Sequence, residues 1–395
     1  MSGEKTPISY SSTGVNYDSM DPFKRAAQLG AAETSPNIER TGFSVVERSR
    51  GESAFVIDEG PRYSAHVIEG LGTKNLVADQ MRRIRQTDQA AIADDMQDIT
   101  GRTYYDAIAQ DTIAMIINDL ITVGADPVLV NAYCAVGSSD WFRDERRAQD
   151  LVKGWKEACD QAGATWGGGE TPTLSGIIMP ETIDLAGSAY GIIDPKRRLT
   201  LGDRLEPGNA IMLVDSSGIH ANGLSLARKL AENVAKKTEV SLAQAYATPL
   251  SGGTMYGEAL LTPTHIYAGL IRDLFNEGID IRYMANITGH GWRKLMRYAD
   301  RDFTYRMNEV PTPQPVFGFI QQESGNDDEE MYGNLNMGAG FAIFVNPRDA
   351  HRLEQIAFTR HELGVLNAGR VEEGPRQVII EPKNITFTAD TLGVR

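Results

Sequence analysis

One apolar segment constrains the fold of this chain more than any other, the run Asp-Thr-Ile-Ala-Met-Ile-Ile-Asn-Asp-Leu at residues 111–120. A segment this apolar predicts a buried helix, over about residues 104–123. At helical spacing Asp111 and Asn118 lie two turns apart on nearly one line, with Asp119 beside the second. A buried carboxylate without a partner is costly, so we expect a cation holding phosphate oxygens at these acids. Acids that face solvent or pair with Arg or Lys remain the simpler alternative.

Length and composition favour a folded, multidomain enzyme. The 395 residues suffice for two or three domains, and 41% hydrophobic residues with 39 glycines are typical of a loop-rich α/β protein. We expect an extended arm over residues 1–40 with one short helix near Pro22–Leu29. An N-terminal domain follows over 41–200 and a C-terminal α/β domain over 201–395, with the boundary in the turn-rich stretch 194–208.

The charge balance excludes some partners. With 39 basic and 53 acidic residues the formal net charge is −14, which disfavours nucleic acid and anionic membranes. Any phosphate must then be held by backbone N–H groups, a metal or a few placed cations. Cys134 and Cys159 lack metal-site spacing, the N-terminus lacks a signal-peptide pattern, and no apolar run approaches the roughly 20 residues that cross a bilayer. We therefore expect a cytoplasmic protein with reduced thiols.

Hydrophobic patterning predicts the elements around the apolar helix. Strands are expected at Phe55–Asp58, Tyr63–Glu69, Val128–Val136, Ile183–Ile193 and Ala210–Asp215, and helices at Arg143–Ala162, Leu224–Lys236 and Pro263–Glu277. Residues 76–102 are interpreted as helix plus loop. The acidic stretch 321–334 is interpreted as a solvated loop.

Two glycine-rich segments suit a phosphate ligand. In Glu69-Gly-Leu-Gly-Thr-Lys74, glycines let the backbone approach phosphate, Lys74 can neutralise charge, and Glu69 could ligate a metal. This segment lacks the spacing of a P-loop. In Gly167-Gly-Gly-Glu-Thr-Pro172, three glycines precede a carboxylate and a hydroxyl. An ordinary turn is the alternative for the first, and a hinge or tight turn for the second.

Further glycine-rich turns follow in the second half. Ser216–Gly223 leads from a strand into a helix, which offers helix N-terminal amides to an anion. His220 within it could be an acid, a base or a hydrogen-bond donor, although a structural histidine is the commoner outcome. Residues 288–291 and 336–340 are glycine-rich loops near strand ends, where α/β proteins commonly place ligands. Hydrolase motifs are missing, and no GxGxxG follows the first strand, so a dinucleotide enzyme is disfavoured.

Taken in order, these segments resemble the aminoimidazole ribonucleotide synthetase (phosphoribosylformylglycinamidine cyclo-ligase) family. No single motif is decisive, but their joint occurrence in the family's order is specific. The matching pieces are Ser9-Tyr10, Gly14-Val15, Gly70–Lys74, Asp111–Leu120, Gly124–Pro127, Gly168–Thr171, Ser217–Gly223, Leu260–Tyr267, Ile287–Gly289, Glu330–Tyr332 and Asn336–Gly340.

The resemblance implies an α/β (α+β) two-domain synthetase fold. The N-terminal sheet domains of two subunits would form a barrel at a homodimer interface, with ATP near it and a C-terminal α/β domain beside it. It also implies the reaction, which is ATP-dependent cyclisation of formylglycinamidine ribonucleotide to aminoimidazole ribonucleotide, with release of ADP and phosphate, in purine synthesis.

The resemblance also assigns roles to residues. The catalytic set is His220, Lys74 and Asp119. The ATP site comprises Gly70, Gly72, Thr73, Lys74, Asp111, Gly168, Gly169, Glu170 and Thr171. The substrate would be bound by His220, Asn222, Thr288, Gly289, Asn336 and Gly338. Mg²⁺ would be held by Glu69, Asn118, Asp119 and Glu170.

Three positions depart from the family pattern. The family usually has Asp where Glu69 stands, often His at Asn286, and often Gly at His290; residues 76–102 are also longer than the usual connection. These changes concern substrate detail more than ATP use. The competing hypothesis is a non-catalytic or differently specific ATP-binding homologue of the same superfamily. The retained Lys74, Asp119, Glu170 and His220 weigh against a non-catalytic one.

Overall fold

Two β-sheets organise the chain in the computed structural model, which describes Gly14, residues 17–84 and residues 102–392. The strands, in chain order, are β1 (Ser44–Val45), β2 (Phe55–Asp58), β3 (Tyr63–Gly70), β4 (Asp126–Val136), β5 (Thr165–Glu170), β6 (Ile183–Ile193), β7 (Ala210–Asp215), β8 (Ile281–Asn286), β9 (Phe303–Met307), β10 (Ala339–Val345), β11 (Val365–Glu373), β12 (Gln377–Ile380) and β13 (Ile385–Thr388).

The helices surround these sheets. They are α1 (Tyr17–Glu33), α2 (Asn75–Met81), α3 (Tyr105–Ile121), α4 (Glu145–Ala162), α5 (Leu224–Thr238), α6 (Leu242–Tyr246), α7 (Tyr256–Leu260), α8 (Ala268–Asn276), α9 (Pro315–Ser324), α10 (Asp328–Asn334) and α11 (Ala350–His361). Within the described residues, no helix combines the length and the apolar character that spanning a bilayer requires.

The first sheet has six strands in the order β1-β2-β3-β6-β4-β5. Strand β6 pairs antiparallel with both β3 and β4, while the edge strand β5 is parallel to β4. Inward residues of β6 alternate with half-buried or exposed ones, the pattern of a sheet covered on one face. Helix α3 covers that face and is itself packed by α4, so α3 is buried along nearly its whole length.

The second sheet has seven strands in the order β13-β12-β9-β11-β7-β10-β8. All seven residues of β10 are buried, as are the first five of β7, which matches their continuous apolar sequences. The polar stretch 194–208 connects β6 of the first sheet to β7 of the second. A mixed α/β protein with two sheets agrees with the fold class predicted from the sequence. The domain limits at residues 40 and 200 remain predictions.

The buried helix and the strands of the first half were predicted close to their observed bounds, and helix Arg143–Ala162 is confirmed as α4. Helix Pro263–Glu277 was too long, since α8 begins only at Ala268. The preceding residues direct backbone N–H groups at side chains of α3 instead. Thr264 N donates to Asp111 and Tyr267 N donates to Asn118. These tertiary hydrogen bonds replace the first turn of the expected helix.

Three further expectations were wrong. The described part of the arm is helical, with α1 spanning 17 residues and a 3₁₀ segment over Ser35–Thr41. The acidic stretch is largely helical, because Asp327 caps α10 by accepting the Glu330 N–H and acids favour a first helical turn. The hinge or tight turn considered as the alternative for residues 167–169 is also wrong, because these residues lie in strand β5.

Close packing explains the glycines of β5. A Cβ on Gly169 would lie 2.4 Å from the Ala132 carbonyl oxygen, so the parallel pairing with β4 requires glycine there. Within residues 76–102, only α2 and its flanks can be compared with the prediction, because residues 85–101 lie outside the described residues. The motif residues Ser9, Tyr10 and Val15 also lie outside them.

Candidate active site

Helix α3 presents three buried polar side chains to the second half of the chain. Asp111, Asn118 and Asp119 expose at most 5% of their surface. Each of the three side chains has a different partner. The apolar helix can carry these polar groups because tertiary contacts satisfy their hydrogen bonds. The distribution of these contacts shows which groups are free to meet a ligand.

Asp111 accepts its hydrogen bonds at Oδ1, while its buried Oδ2 has no hydrogen-bond partner among the described residues. Its two carboxylate oxygens each lie 2.8 Å from Lys74 Nζ, and Oδ1 also accepts from the Thr264 N–H at 2.9 Å and the Thr264 hydroxyl at 2.5 Å. An ion pair with this many hydrogen bonds can remain charged inside the protein. The structure therefore places Asp111 in a link between the two halves.

Lys74 is the other half of that link. Its ammonium group is fully buried and donates to Asp111, to the His220 carbonyl oxygen at 3.0 Å and to the Thr262 carbonyl oxygen at 2.9 Å. An ammonium group has three N–H donors, and protein acceptors occupy all of them. This geometry does not support the predicted contact of Lys74 with phosphates.

Asn118 forms a second link. Its amide nitrogen donates to the His265 carbonyl oxygen at 2.7 Å, and its oxygen accepts from the Tyr267 N–H at 3.0 Å. Both polar atoms of the side chain are thus used by the backbone of the segment before α8. The structure gives Asn118 a positioning role and no metal-ligand geometry.

Asp119 and Glu69 form a carboxyl pair at the end of β3. The two side chains share a hydrogen bond, and Asp119 Oδ1 also accepts from Asn286 Nδ2 at 2.7 Å. Burial, followed by the charge of Asp119, raises the pKa of Glu69 to about 7. The two carboxyl groups therefore share a proton near neutral pH. A cation bound between two carboxylates would take the place of that proton.

Lys294 approaches this carboxyl pair from the second half of the chain. It lies in the 3₁₀ segment Gly291–Met296 after β8, and its ammonium group donates to the Thr288 hydroxyl. Burial lowers the pKa of Lys294, while the charges of Asp119 and Glu69 oppose that change. Sequence reasoning identified the loop at 288–291 but missed this lysine. The sequence signal that could have identified Lys294 is its position, as a basic residue one turn beyond a glycine-rich loop.

The loop after β3 completes this region. Leu71 N donates to the Leu185 carbonyl oxygen, and Gly72 has a φ of +77°, which favours glycine. Thr73 Oγ1 is buried without a hydrogen-bond partner among the described residues. Such a hydroxyl fits a polar ligand beside the carboxyl pair. The nucleotide contacts of Gly70, Gly72 and Thr73 remain a prediction.

His220 is buried and holds its own turn. Its Nε2 accepts from the Ser217 N–H at 3.3 Å, and its ring packs beside His265 and Tyr267. Burial, aided by the charges of His265 and Lys74, holds the pKa of His220 well below its usual range, so the ring is neutral. These contacts favour a positioning role for His220 over the predicted catalytic one.

Asn336 ties two glycine-rich turns together. Its oxygen accepts from the Ser216 hydroxyl at 3.1 Å and the Gly338 N–H at 3.0 Å, and its nitrogen donates to the Gly218 carbonyl oxygen at 2.8 Å. The predicted substrate contacts Asn336 and Gly338 are therefore engaged with protein. Asn222 is half-buried, and its amide lies 3.7 Å from the Met115 sulfur.

Glu170 lies apart from the carboxyl pair. Strand register aligns Gly70, Ala186, Tyr133 and Glu170 in one row across the first sheet. Three strand spacings separate the ends of that row, roughly 14 Å, and adjacent residues project to opposite faces. Glu170 therefore projects to the face opposite Glu69, and its neighbours Gly168, Gly169 and Thr171 are exposed like Glu170 itself.

The four predicted metal ligands thus do not converge in this chain. No group of three or more His, Cys, Asp or Glu side chains suited to a metal occurs within residues 17–84 and 102–392. Glu69 and Asp119 remain together. Two carboxylates fit Mg²⁺, which commonly takes one or two protein carboxylates and completes its shell with water and substrate phosphates.

Comparison with known proteins assigns both halves to one family. Residues 79–193 match the family model "AIR synthase related protein, N-terminal domain", and residues 206–381 match "AIR synthase related protein, C-terminal domain". A phosphoribosylformylglycinamidine cyclo-ligase of Methanococcus maripaludis strain C7 is 31% identical over 93% of each chain. The cyclo-ligase of Methanocaldococcus jannaschii is 34% identical over 80% of this chain and 81% of its own length.

Among solved structures, T. maritima PurL complexed with FGAR has a similar fold. The TM-score is 0.54 at 15% sequence identity, over 87% of this chain and 48% of the PurL chain. At this identity the likeness concerns the fold alone. It extends over both sheets of the present chain.

Proposed function

The chain belongs to the AIR synthase related family, and we propose from this membership that it is a phosphoribosylformylglycinamidine cyclo-ligase. It converts formylglycinamidine ribonucleotide to aminoimidazole ribonucleotide, consuming ATP and releasing ADP and phosphate. The observation that carries this conclusion is identity of at least 30% to cyclo-ligases over most of both chains. The reaction site is proposed at the carboxyl pair and the loop that follows β3.

The reaction needs ATP because an amide oxygen is a poor leaving group. The amide oxygen attacks the γ-phosphorus of ATP, so an oxygen–phosphorus bond forms, the bond to the ADP oxygen breaks, and the amide N–H proton is released. The amidine nitrogen then attacks the activated carbon. A carbon–nitrogen bond forms, the carbon–oxygen bond breaks with phosphate taking the electron pair, and the attacking nitrogen loses its proton.

The carboxyl pair is the proposed cation site. Bound there, Mg²⁺ would neutralise charge on the phosphates of the nucleotide. Glu69 and Asp119 would hold it, and Asn286 fixes the orientation of Asp119 through the 2.7 Å hydrogen bond. The usual Asp is one methylene shorter than Glu69, so the longer side chain reaches farther towards Asp119 from the end of β3.

Other residues of this chain arrange the site. The Lys74–Asp111 pair and Asn118 lock α3 to the segment before α8, and His220 and Asn336 fix the turns that follow β7 and precede β10. The backbone at Gly70 and Gly72 and the hydroxyl of Thr73 are proposed to contact ATP. This division gives nucleotide contact to the loop after β3 and rigidity to the buried links.

We further propose that a second subunit covers the outer face of the first sheet. Ile68 exposes 78% of its surface there, and Leu129, Tyr190 and His66 line the same shallow groove. An apolar patch of this kind marks an interaction surface. Glu170 and the exposed glycines of β5 lie along the same sheet edge, so their predicted nucleotide contacts would belong to the assembled homodimer.

A coupled assay with formylglycinamidine ribonucleotide, ATP and Mg²⁺ tests the function. We expect aminoimidazole ribonucleotide and ADP in a one-to-one ratio, both measured by liquid chromatography with mass detection. ATP binding without substrate-dependent turnover would instead favour the non-catalytic homologue. A product other than the imidazole would indicate a different specificity.

A further inference from the structure

The buried Lys74 and the half-buried Lys294 differ in whether their ammonium groups can meet a ligand. Lys74 directs its donors at Asp111 and two carbonyl oxygens. Lys294, by contrast, has one hydrogen-bond acceptor among the described residues, the Thr288 hydroxyl. An ammonium group carries three donors, so two donors of Lys294 remain for another acceptor.

The position of Lys294 is set by the same segment that orients the carboxyl pair. Asn286, the last residue of β8, donates to Asp119, and Thr288, two residues later, accepts from Lys294. One short segment after β8 thus holds both the amide that contacts Asp119 and the hydroxyl that contacts Lys294. No ion pair within 4.0 Å joins Lys294 to Glu69 or Asp119 in the described part of the chain. The positive charge of Lys294 acts on both carboxyl groups, although the lysine is not in direct contact with either of them.

We propose that Lys294 contacts the γ-phosphoryl oxygens of ATP during transfer, taking the role that the sequence suggested for Lys74. This inference rests on the proposed function. The transferring group carries its negative charge on the three oxygens that neither leave nor attack. A cation on one side of these oxygens and the carboxyl-bound Mg²⁺ on the other would neutralise that charge while the amide oxygen bonds to phosphorus and ADP departs.

The chain offers a conservative variant and a matched control. Lys294→Met removes the charge while keeping an unbranched side chain, and Lys294→Arg restores a positive group. Lys383→Met removes another half-buried lysine of the second half, which pairs with Asp328 at 3.0 Å away from the carboxyl pair. Thermal unfolding of each variant, measured first, shows whether the fold is retained.

Steady-state kinetics supplies the first test. Loss of one preorganised donor commonly lowers kcat by about 10²–10³-fold, and we expect Lys294→Met to fall in this range with KM for formylglycinamidine ribonucleotide changed by less than about 3-fold. Lys294→Arg should recover at least about 10-fold, while Lys383→Met should remain within about 2-fold of the unsubstituted protein. A kcat of Lys294→Met within about 3-fold of the unsubstituted protein would overturn the proposal.

Nucleotide binding supplies a test that does not need turnover. Calorimetry with Mg²⁺ should show that Lys294→Met weakens a non-hydrolysable ATP analogue by about 10-fold, because a contact to the terminal phosphate is lost. The affinity for ADP should change by less than about 2-fold. Equal losses for both nucleotides would assign Lys294 a structural role and reject the contact. If the unsubstituted protein forms no imidazole, the cyclo-ligase function fails, and this comparison still decides the role of Lys294.

Discussion

Two acidic positions of α3 show opposite uses of a buried charge. Asp111 and Asp119 are eight residues apart on one helix, about 12 Å along its axis. Asp111 is enclosed by Lys74 and Thr264, so every strong donor around it is protein. Asp119 forms hydrogen bonds with the amide of Asn286 and the carboxyl group of Glu69. The nearby Lys294 acts on it electrostatically without forming an ion pair among the described residues.

The difference separates a structural ion pair from a site that can accept a ligand. An acid that is paired with a lysine and held by protein donors joins elements of the fold, whereas two carboxyls in contact repel unless a proton or a cation lies between them. Burial of a charge does not by itself identify a catalytic residue. The nature of its partners is the better guide.

The largest effect is expected at the site that accepts a ligand. Asp119→Asn keeps the size of the side chain but removes one charge from the carboxyl pair, so we expect turnover to fall by about 10³-fold or more. Thermal unfolding should change by only a few degrees. The control is Asp106→Asn, an exposed acid in the first turn of the same helix, which should leave turnover unchanged. Near-normal turnover in Asp119→Asn would remove Asp119 from the cation site.

The structural pair should respond in stability. Lys74→Met leaves Asp111 buried without its cation, and breaking a buried pair in this way costs about 3–5 kcal/mol. We expect a corresponding drop in the free energy of unfolding, measured in urea. The double variant Lys74→Met with Asp111→Leu should recover much of the loss because no charge is left unpaired.

That double variant also tests the comparison itself. If Lys74 serves only to join the two halves, the recovered protein should bind ATP within about 3-fold of the unsubstituted protein, as judged by calorimetry. Complete loss of ATP binding in a folded double variant would return Lys74 to the nucleotide site, and the contrast between the two acids of α3 would fail.

The smallest predicted effect is a pH dependence at Glu69. Without divalent cations, its pKa of about 7 in the fold exceeds the ordinary value of 4.5, so the fold favours the protonated form. This contribution to stability is full below about pH 4.5 and is lost as the pH rises through 7. Glu69→Gln removes the titration. At pH 8 the free energy of unfolding of the variant should therefore exceed that of the unsubstituted protein by about 1–3 kcal/mol.

Denaturation at pH 5 and pH 8 in the presence of a chelator measures that difference. Added Mg²⁺ should stabilise the unsubstituted protein more than Glu69→Gln, because the ion replaces the shared proton. An identical pH dependence for the two proteins would show that the carboxyls are not coupled as described.

Local pattern was enough to predict much of the fold. The apolar run of α3 and the alternation in β3 and β6 depend on neighbours in sequence, and their observed bounds differ from the predictions by only a few residues. The glycine run at 167–169 was not predicted to be a strand because its pairing partner, β4, lies more than 30 residues away in the sequence. No local signal reports that a parallel neighbour will require the close backbone approach.

The site was predictable in residue type but not in partner. Glu69 and Asp119, two of the four predicted metal ligands, are in contact, while the contacts of Lys74 join it to residues as distant in sequence as Thr262. Which acid meets which cation is decided by the approach of the two sheets. A single sequence contains no measure of that approach, and for this reason Lys74 was assigned to the phosphates and Lys294 was not considered.

The amide of Asn118 has one further consequence. It donates to the His265 carbonyl oxygen and accepts from the Tyr267 N–H. It therefore pairs with the main chain of this segment as the peptide group of a neighbouring strand would. Asp119, next to it and nearly identical in shape, could not do this, because an ionised carboxyl has no hydrogen to give. Exchanging the two side chains would conserve composition, volume and charge. It would nevertheless disrupt both the hydrogen bonds that join α3 to the segment before α8 and the proposed cation site at Glu69 and Asp119.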